Sequence, residues 1–163
     1  MSAVRVYVPS TLRLLAAMVA AGGVGPPPLP AHAVTEALRE AWPEAGEEEW
    51  EYVALTAAAR DSLGLRTEDD MPRRVVLALD ADAVAPTQEG APTLVEVGEV
   101  VPIRRVAAVH VDSPDAAAAV TSARAAWTRA EDGDEAAEAV VEECLDHELG
   151  WYAVQEVDAL LAE

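Results

Sequence analysis

The sequence contains no Phe, no Lys and no Asn, and Ile103 is its only Ile. Without Phe, a core must be built from Val, Leu, Ala and Trp, and the length suffices for one domain with such a core. Without Lys, the 11 basic side chains are all Arg, and they face 30 acidic residues for a formal charge of −19. Phosphate backbones repel such a chain, so no nucleic-acid partner is expected.

Cysteine and long apolar runs are also scarce. Cys144 is the only Cys, which excludes an internal disulfide and favours a reducing compartment, so a cytoplasmic location is expected. The apolar stretch at 14–25 is shorter than the about 18 residues of a membrane span, so no membrane partner is expected. This stretch and a later Ala-His-Ala also have the form of a secretory signal. The alternation of Val4, Val6 and Val8 favours a strand instead.

The clearest local pattern is a β-branched run at 106–111, between an Arg pair and an Asp-Ser-Pro turn. Its length and its edges predict a strand covered on both faces. Ser113 then suits a helix N-cap and Pro114 the first helical position. Because side chains alternate along a strand, His110 and Asp112 share one face.

Elsewhere, strands are predicted at 4–8, 31–34, 73–80 and 94–101, and helices at 11–21, 36–42, 47–63, 114–129 and 135–148, with Thr11 and Thr35 as N-caps and Gly64 as a C-cap. A polar linker is predicted at 66–72 and a loop at 83–92. Residues 150–157 fit a strand or a helix, and their aromatic and β-branched content favours the strand. The strands and helices do not alternate strictly, and this order predicts an α+β fold. A single domain is expected over residues 1–163. Its mixed sheet would have about five or six strands, with helices packed mainly on one face.

Residues 73–80 resemble residues 104–112, because each segment reads as two Arg, an apolar run and then Asp. Two strands of one sheet with similar ends explain this likeness. A weak internal duplication is the alternative.

Several motifs occur together in this chain: Val4-Arg5-Val6-Tyr7-Val8-Pro9, Ala33-Val34-Thr35, Ala37-Leu38-Arg39-Glu40, Thr56-Ala57-Ala58-Ala59-Arg60, Arg105-Val106-Ala107-Ala108-Val109-His110-Val111-Asp112, His147-Glu148-Leu149, Trp151-Tyr152-Ala153 and Gln155-Glu156. As a set, over nearly the whole length, they resemble a family of small actinobacterial proteins of unknown function. Gly150 and Asp158 stand where a bulky apolar residue and Pro are expected. The resemblance implies an intracellular protein, and it brings no activity, ligand or catalytic residue.

Acidic residues follow two of the predicted strands. Asp80, Asp82 and Asp112 lie at strand ends, and with His110 they form a candidate Mg²⁺ site, since this ion prefers carboxylate oxygens. Such a site would support metal-assisted hydrolysis. The alternative is turn formation, which Asp commonly initiates. No other cofactor is predicted.

An anion site is a second candidate, formed over the N-terminus of the first helix by Arg5, Tyr7, Ser10, Thr11, Arg73 and Arg105. The alternative is that each Arg pairs with a carboxylate within the protein. A third candidate is a metal held by Glu143 and His147, four residues apart on a helix. It lacks the second His of the zinc-protease motif, and Cys144 beside it suits a core position.

The sequence has no Ser/His/Asp elbow, phosphate loop or dinucleotide fingerprint, and it does not decide whether the protein is an enzyme. The favoured interpretation is a soluble cytoplasmic accessory or protein-interaction module, whose acidic surface meets a basic protein partner or which forms a homodimer. The alternative is a small-anion-binding or metal-dependent enzyme that uses acidic and His residues at strand ends.

Overall fold

The computed structural model describes residues 3–65 and 70–163, so most of the predicted linker at 66–72 lies outside the described residues. The helices are α1 Leu12–Ala21, α2 Glu36–Ala41, α3 Glu47–Ser62, α4 Ala117–Glu131, α5 Glu135–Leu145 and α6 Val157–Leu161. The strands are β1 Val4–Ser10, β2 Gly23–Val24, β3 Leu29–Ala33, β4 Val75–Ala81, β5 Val84–Pro86, β6 Leu94–Val97, β7 Val101–Pro102, β8 Val106–Asp112 and β9 Leu149–Tyr152. Short 3-10 turns occupy Leu63–Leu65, Ile103–Arg105, Pro114–Ala116 and Val154–Glu156.

Seven strands form one sheet in the order β5-β6-β3-β1-β4-β8-β9, and β2 pairs separately with β7. The predicted α+β class is confirmed. The sheet has more strands than the five or six expected, and its pairings are all antiparallel rather than mixed. Part of the difference is β5, which lies inside the predicted loop at 83–92. The predicted strand at 94–101 is divided at Gly98 into β6 and β7.

Helices cover both faces of the sheet, whereas the sequence predicted them mainly on one. The α1 face packs Val8 and Leu77 against Leu15 of α1 and Leu160 of α6. The opposite face, called the α3 face below, packs small side chains of α3 against the sheet. Its buried residues are Tyr7, Ala54, Ala58, Ala59, Val76, Ala78 and Ala108. Both faces need cover because β1, β4 and β8 have apolar side chains at successive positions, as doubly covered strands do.

The strands β4 and β8 pair directly, with Val75 opposite Val111 and Ala78 opposite Ala108. One extra residue, Ala107, forms a β-bulge between Val106 and Ala108. Because the two strands are antiparallel, the Arg end of each lies beside the Asp end of the other. The likeness between 73–80 and 104–112 therefore has a structural reason that needs no internal duplication.

The helix ends follow the predicted capping in part. Thr11 and Thr35 each accept a hydrogen bond of 3.1 Å from the backbone N–H three residues later. Ser113 makes no such side-chain bond, and Pro114 begins a 3-10 turn before α4. Gly64 does not cap α3, which ends at Ser62. Gly64 instead gives room to Trp127, because a Cβ there would lie 2.5 Å from the indole Nε1.

The last part of the chain contains both elements between which the sequence left a choice. β9 is Leu149–Tyr152, and a 3-10 turn then leads into α6. The preceding helix α5 ends at Leu145, three residues earlier than predicted, because β9 must return to pair with β8. No helix in the described part of the chain has both the length and the apolar character needed to cross a membrane.

Candidate functional site

A groove runs along the α3 face, between α3 and the strands β4, β8 and β9. Its floor includes Ala78 and Ala108, which are paired across β4 and β8. Two methyl groups at neighbouring positions leave space between the sheet and the helix. The sequence therefore creates the groove by placing small residues where larger ones would fill it.

The groove consists of two adjoining cavities, of about 220 Å³ and about 330 Å³. Tyr52, Leu55, His110 and Trp151 line both cavities. The smaller one is completed by Thr56, Ala59, Arg74, Leu145, His147, Glu148 and Leu149, and the larger one by Arg5, Tyr7, Glu48, Glu51, Ala78 and Ala108. Together these residues are called the α3–β9 groove.

The wall on α3 follows from helical periodicity. Its groove residues recur at three- and four-residue intervals, which places them on one stripe of the helix; they are Glu48, Glu51, Tyr52, Leu55, Thr56 and Ala59. Ala54 and Ala58, on the neighbouring stripe, are fully buried against the sheet. α3 thus presents one small, buried stripe and one larger, polar and aromatic stripe.

A buried histidine attaches α3 to the sheet. The His32 ring lies 2.6 Å from Asp61 of α3 through Nε2, and 2.7 Å from the Thr93 hydroxyl through Nδ1. This hydroxyl–imidazole–carboxylate chain has the composition of a hydrolytic triad. Thr93 is only 2% exposed, however, and it lines none of the cavities described above. The chain therefore holds the α3 wall in position against the sheet.

The opposite wall is aromatic and belongs to the edge of the sheet. Trp151 of β9 lies opposite His110 of β8, so both side chains are on the α3 face. Trp151 is 61% exposed and Tyr52, across the groove, is 56% exposed. Two large aromatic side chains are thus left exposed on the two sides of one groove.

The charged groups of the groove are mainly carboxylates. Glu48, Glu51 and Glu148 have no ion-pair partner among the residues that the structure describes. Arg5, in contrast, donates to Asp80 through Nε at 2.8 Å. The hydrogen bond and charge of Asp80 raise the pKa of Arg5 despite an opposing effect of partial burial. The groove therefore attracts cations.

Two titratable side chains on the floor have shifted pKa values. Burial lowers the pKa of His110, and the charge of Arg5 lowers it further. Burial raises the pKa of Tyr7, and the carboxylate of Glu51 raises it further. At neutral pH the floor therefore carries a neutral imidazole and a neutral phenol.

One end of the groove is closed by a buried ion pair. Arg74 donates to both carboxylate oxygens of Asp112 through Nε and Nη2, each at 2.8 Å, and its backbone N–H donates to Asp112 at 2.8 Å. Burial acts to lower the pKa of Arg74, but the hydrogen bonds and charge of Asp112 together raise it. Arg74 Nη2 also donates to the carbonyl of His147 at 2.8 Å, which fixes the turn before β9.

The structure does not bring the proposed Mg²⁺ ligands together. Asp80 and Asp112 lie at opposite ends of the β4–β8 pair and bind Arg5 and Arg74, respectively. His110 lies between them, over the groove floor. No group of three or more metal-binding side chains occurs in residues 3–65 and 70–163.

The six proposed anion-binding residues are divided between the two ends of the sheet. Ser10 and Thr11 are buried at the end of β1, and Thr11 caps α1. Ser10 is five positions along the strand from Arg5, a distance of about 16 Å. The remaining members are placed as follows: Tyr7 lines the groove with Arg5, Arg73 is buried and donates to the Asp112 carbonyl, and Arg105 pairs with Asp82 at the far end.

The candidate on α5 does not have the helical geometry that its spacing predicted. His147 lies beyond the end of α5, while Glu143 is within it, so the four-residue spacing does not place them on one helix face. Both side chains line a separate cavity of about 260 Å³ with Ser122. Cys144 points into the apolar contact between α4 and α5, where burial raises its pKa and keeps the thiol protonated.

One of the groove's features can be read from the sequence, and one cannot. The stripe from Glu48 to Ala59 follows helical spacing, which the predicted helix at 47–63 already implies. The position of Trp151 opposite His110 cannot be found in this way, because it depends on the register between two strands that lie far apart in the chain.

Comparison with known proteins identifies one family. The model of a family of unknown function, DUF6912, matches residues 4–161. Neither the curated proteins nor the solved structures include a match to this chain.

Proposed function

The chain belongs to the family of unknown function DUF6912, and we propose that it acts as a protein-interaction module whose α3–β9 groove binds a basic segment of a partner protein. Trp151 and Tyr52 provide two exposed aromatic surfaces across the groove. Arg and Lys side chains pack on such surfaces through their alkyl stems and through cation–π attraction. Aromatic residues are also the usual anchors of protein interfaces.

The observation that carries the proposal is the set of three carboxylates that make no ion-pair contact within the described residues, Glu48, Glu51 and Glu148. The two Arg residues that line the groove are already paired, with Asp80 and Asp112. A basic segment would therefore gain ion pairs without displacing any. The chain's charge of −19 adds long-range attraction for such a partner and speeds its association.

The same charge bears on the other partners and on location. Two copies of this chain repel each other, so a homodimer is the less favoured alternative. Phosphate backbones are repelled as well, which supports a protein rather than a nucleic acid as the partner. We place this partner in the cytoplasm, because a protein with one buried Cys and no disulfide suits a reducing compartment.

The test is calorimetric titration with a short peptide in which Lys and Val alternate. The variant Glu48→Gln, Glu51→Gln, Glu148→Gln should bind about tenfold more weakly, since each lost pair contributes about 0.2–1 kcal/mol. The matched control Glu40→Gln, Glu44→Gln, Glu142→Gln removes the same charge from residues that do not line the groove. It should bind like the parent. Equal losses in both variants, or no binding of the peptide, would contradict the proposal.

A second candidate, a small-ligand enzyme, has one observation in its favour. His110 lines both cavities, and its lowered pKa keeps the imidazole neutral at neutral pH, which is the form suited to a general base. A thermal melt against Mg²⁺ and a panel of small anions separates the two functions. A ligand held at 100 times its Kd should add about 2.7 kcal/mol to the stability. We expect no shift with Mg²⁺, because Asp80 and Asp112 are already paired with Arg.

A further inference from the structure

The edge strand beside the groove is open to pairing. β9 forms one edge of the seven-stranded sheet, and Gly150 and Trp151 within it are exposed. Its four residues include no charge and no Pro, which are the usual means of preventing strand addition. The other edge, β5, has three residues and ends in Pro86, which has no N–H to donate.

We propose that the partner's basic segment binds by adding to β9 as a further strand, an inference that rests on the function proposed above. An added strand would lie about 4.8 Å from β9 and project alternate side chains onto the α3 face. Those side chains come next to Trp151, on the outer wall of the groove. Hydrogen bonds between the main chains of β9 and the added strand supply the affinity, and the groove selects the side chains of the added strand.

The chemistry of the edge selects a strand with alternating character. On the α3 face, the Trp151 ring and the carboxylate of Glu148, which directly precedes β9, favour a Lys or Arg side chain. On the α1 face, Tyr152 and Val154 are half-buried against the core and favour an apolar side chain. A segment in which basic and apolar residues alternate matches both faces at once.

A second copy of the chain fits this edge poorly. Pairing β9 with another β9 would bring two molecules of charge −19 together and place Glu148 of each near the end of the other strand. A basic segment meets the same edge with charge attraction. The edge is therefore assigned to a hetero-partner.

The test compares three versions of the peptide in which Lys and Val alternate. One is unmodified, one carries backbone N-methyl groups on the Lys residues, and one carries them on the Val residues. In an added strand, the N–H groups of every other residue point toward β9 and the rest point to solvent. One methylated peptide should therefore bind more than tenfold more weakly than the other, which should match the unmodified peptide. The unmodified peptide should also slow amide hydrogen exchange within β9.

The outcomes separate the two proposals. If the two methylated peptides bind equally, whether tightly or weakly, strand addition is overturned while binding of the unmodified peptide still supports the interaction module. If the unmodified peptide does not bind, both proposals are overturned. A dimeric mass for the protein without peptide, lost on replacing Trp151→Arg, would assign the edge to a second copy and overturn a basic occupant.

Discussion

The two ends of the β4–β8 pair contain the same residue types in different surroundings. At one end, Arg74 and Asp112 are 1% and 0% exposed and form a bidentate pair. At the other end, Arg105 and Asp82 are 43% and 48% exposed, with a single contact of 3.2 Å. Antiparallel pairing explains why both ends carry an Arg and an Asp. Burial explains why the ends should differ in their contribution to stability.

The buried end is also the better connected one. Asp112 accepts three hydrogen bonds from Arg74, and Arg74 donates a further one to the carbonyl of His147. Removing one partner from such a network leaves a charge without water or a counterion. Removing one partner from the exposed pair leaves a charge that water solvates. The same substitution should therefore have very different costs at the two ends.

The largest effect is expected from Asp112→Ala. It leaves the Arg74 guanidinium buried without a counterion, so the free energy of unfolding should fall by about 3–5 kcal/mol. Urea denaturation measures this loss. The control, Asp82→Ala at the exposed end, should cost less than about 1 kcal/mol. Similar losses for the two variants would show that burial does not distinguish the ends.

A smaller loss is expected when both buried partners are replaced, by Arg74→Met with Asp112→Leu. No uncompensated charge remains, so this variant should be more stable than Asp112→Ala alone. It should still be less stable than the parent, because the buried backbone N–H of residue 74 loses its acceptor on Asp112, at about 1–3 kcal/mol. Urea midpoints of the three proteins give the order. A double variant less stable than Asp112→Ala would mean that the pair is required for more than charge balance.

The fold class could be predicted from the sequence, because it follows from local patterns of helix caps and apolar runs. The cap residues Thr11 and Thr35, and the apolar run at 106–111, act through neighbours in the chain and were correctly read. The edge strand β5 was missed because it is short and ends in Pro86, so its pairing with β6 is set by tertiary contacts. The helices' distribution over both faces likewise depends on which strands become neighbours.

The candidate sites depend even more on tertiary contacts that the sequence does not show. Asp80, His110 and Asp112 do share the α3 face, as alternation along strands requires. Antiparallel pairing then sends Asp80 and Asp112 to opposite ends, which no single-strand pattern can indicate. The groove itself depends on Ala78 and Ala108, whose significance is their small volume and their mutual pairing. A sequence shows the residues that fill space more readily than those that leave it empty.

A pH-dependent effect is expected at His110, which lies between the two ends and nearer the buried one. Burial and Arg5 lower its pKa in the folded state, so protonation favours unfolding. Its contribution is fully present above the unfolded pKa of about 6.5 and is lost as the pH falls toward the folded value. The His110→Gln variant should therefore lose less stability than the parent below about pH 6.5. Arg5→Gln should reduce the parent's acid loss only in part, because burial is the larger cause. Parallel pH profiles for parent and His110→Gln would refute this.

The smallest effect is expected from the exposed pair of Arg105 and Asp82. A double-mutant cycle with Arg105→Gln and Asp82→Asn should give a coupling energy of about 0.2–1 kcal/mol at low salt. High salt should reduce that coupling, because the Debye length falls to about 3 Å at 1 M and both groups are open to solvent. The matching cycle on Arg74 and Asp112 should keep most of its coupling in high salt. If the coupling energy of the exposed pair did not fall in high salt, or that of the buried pair did, the two ends would differ in geometry rather than in access to water.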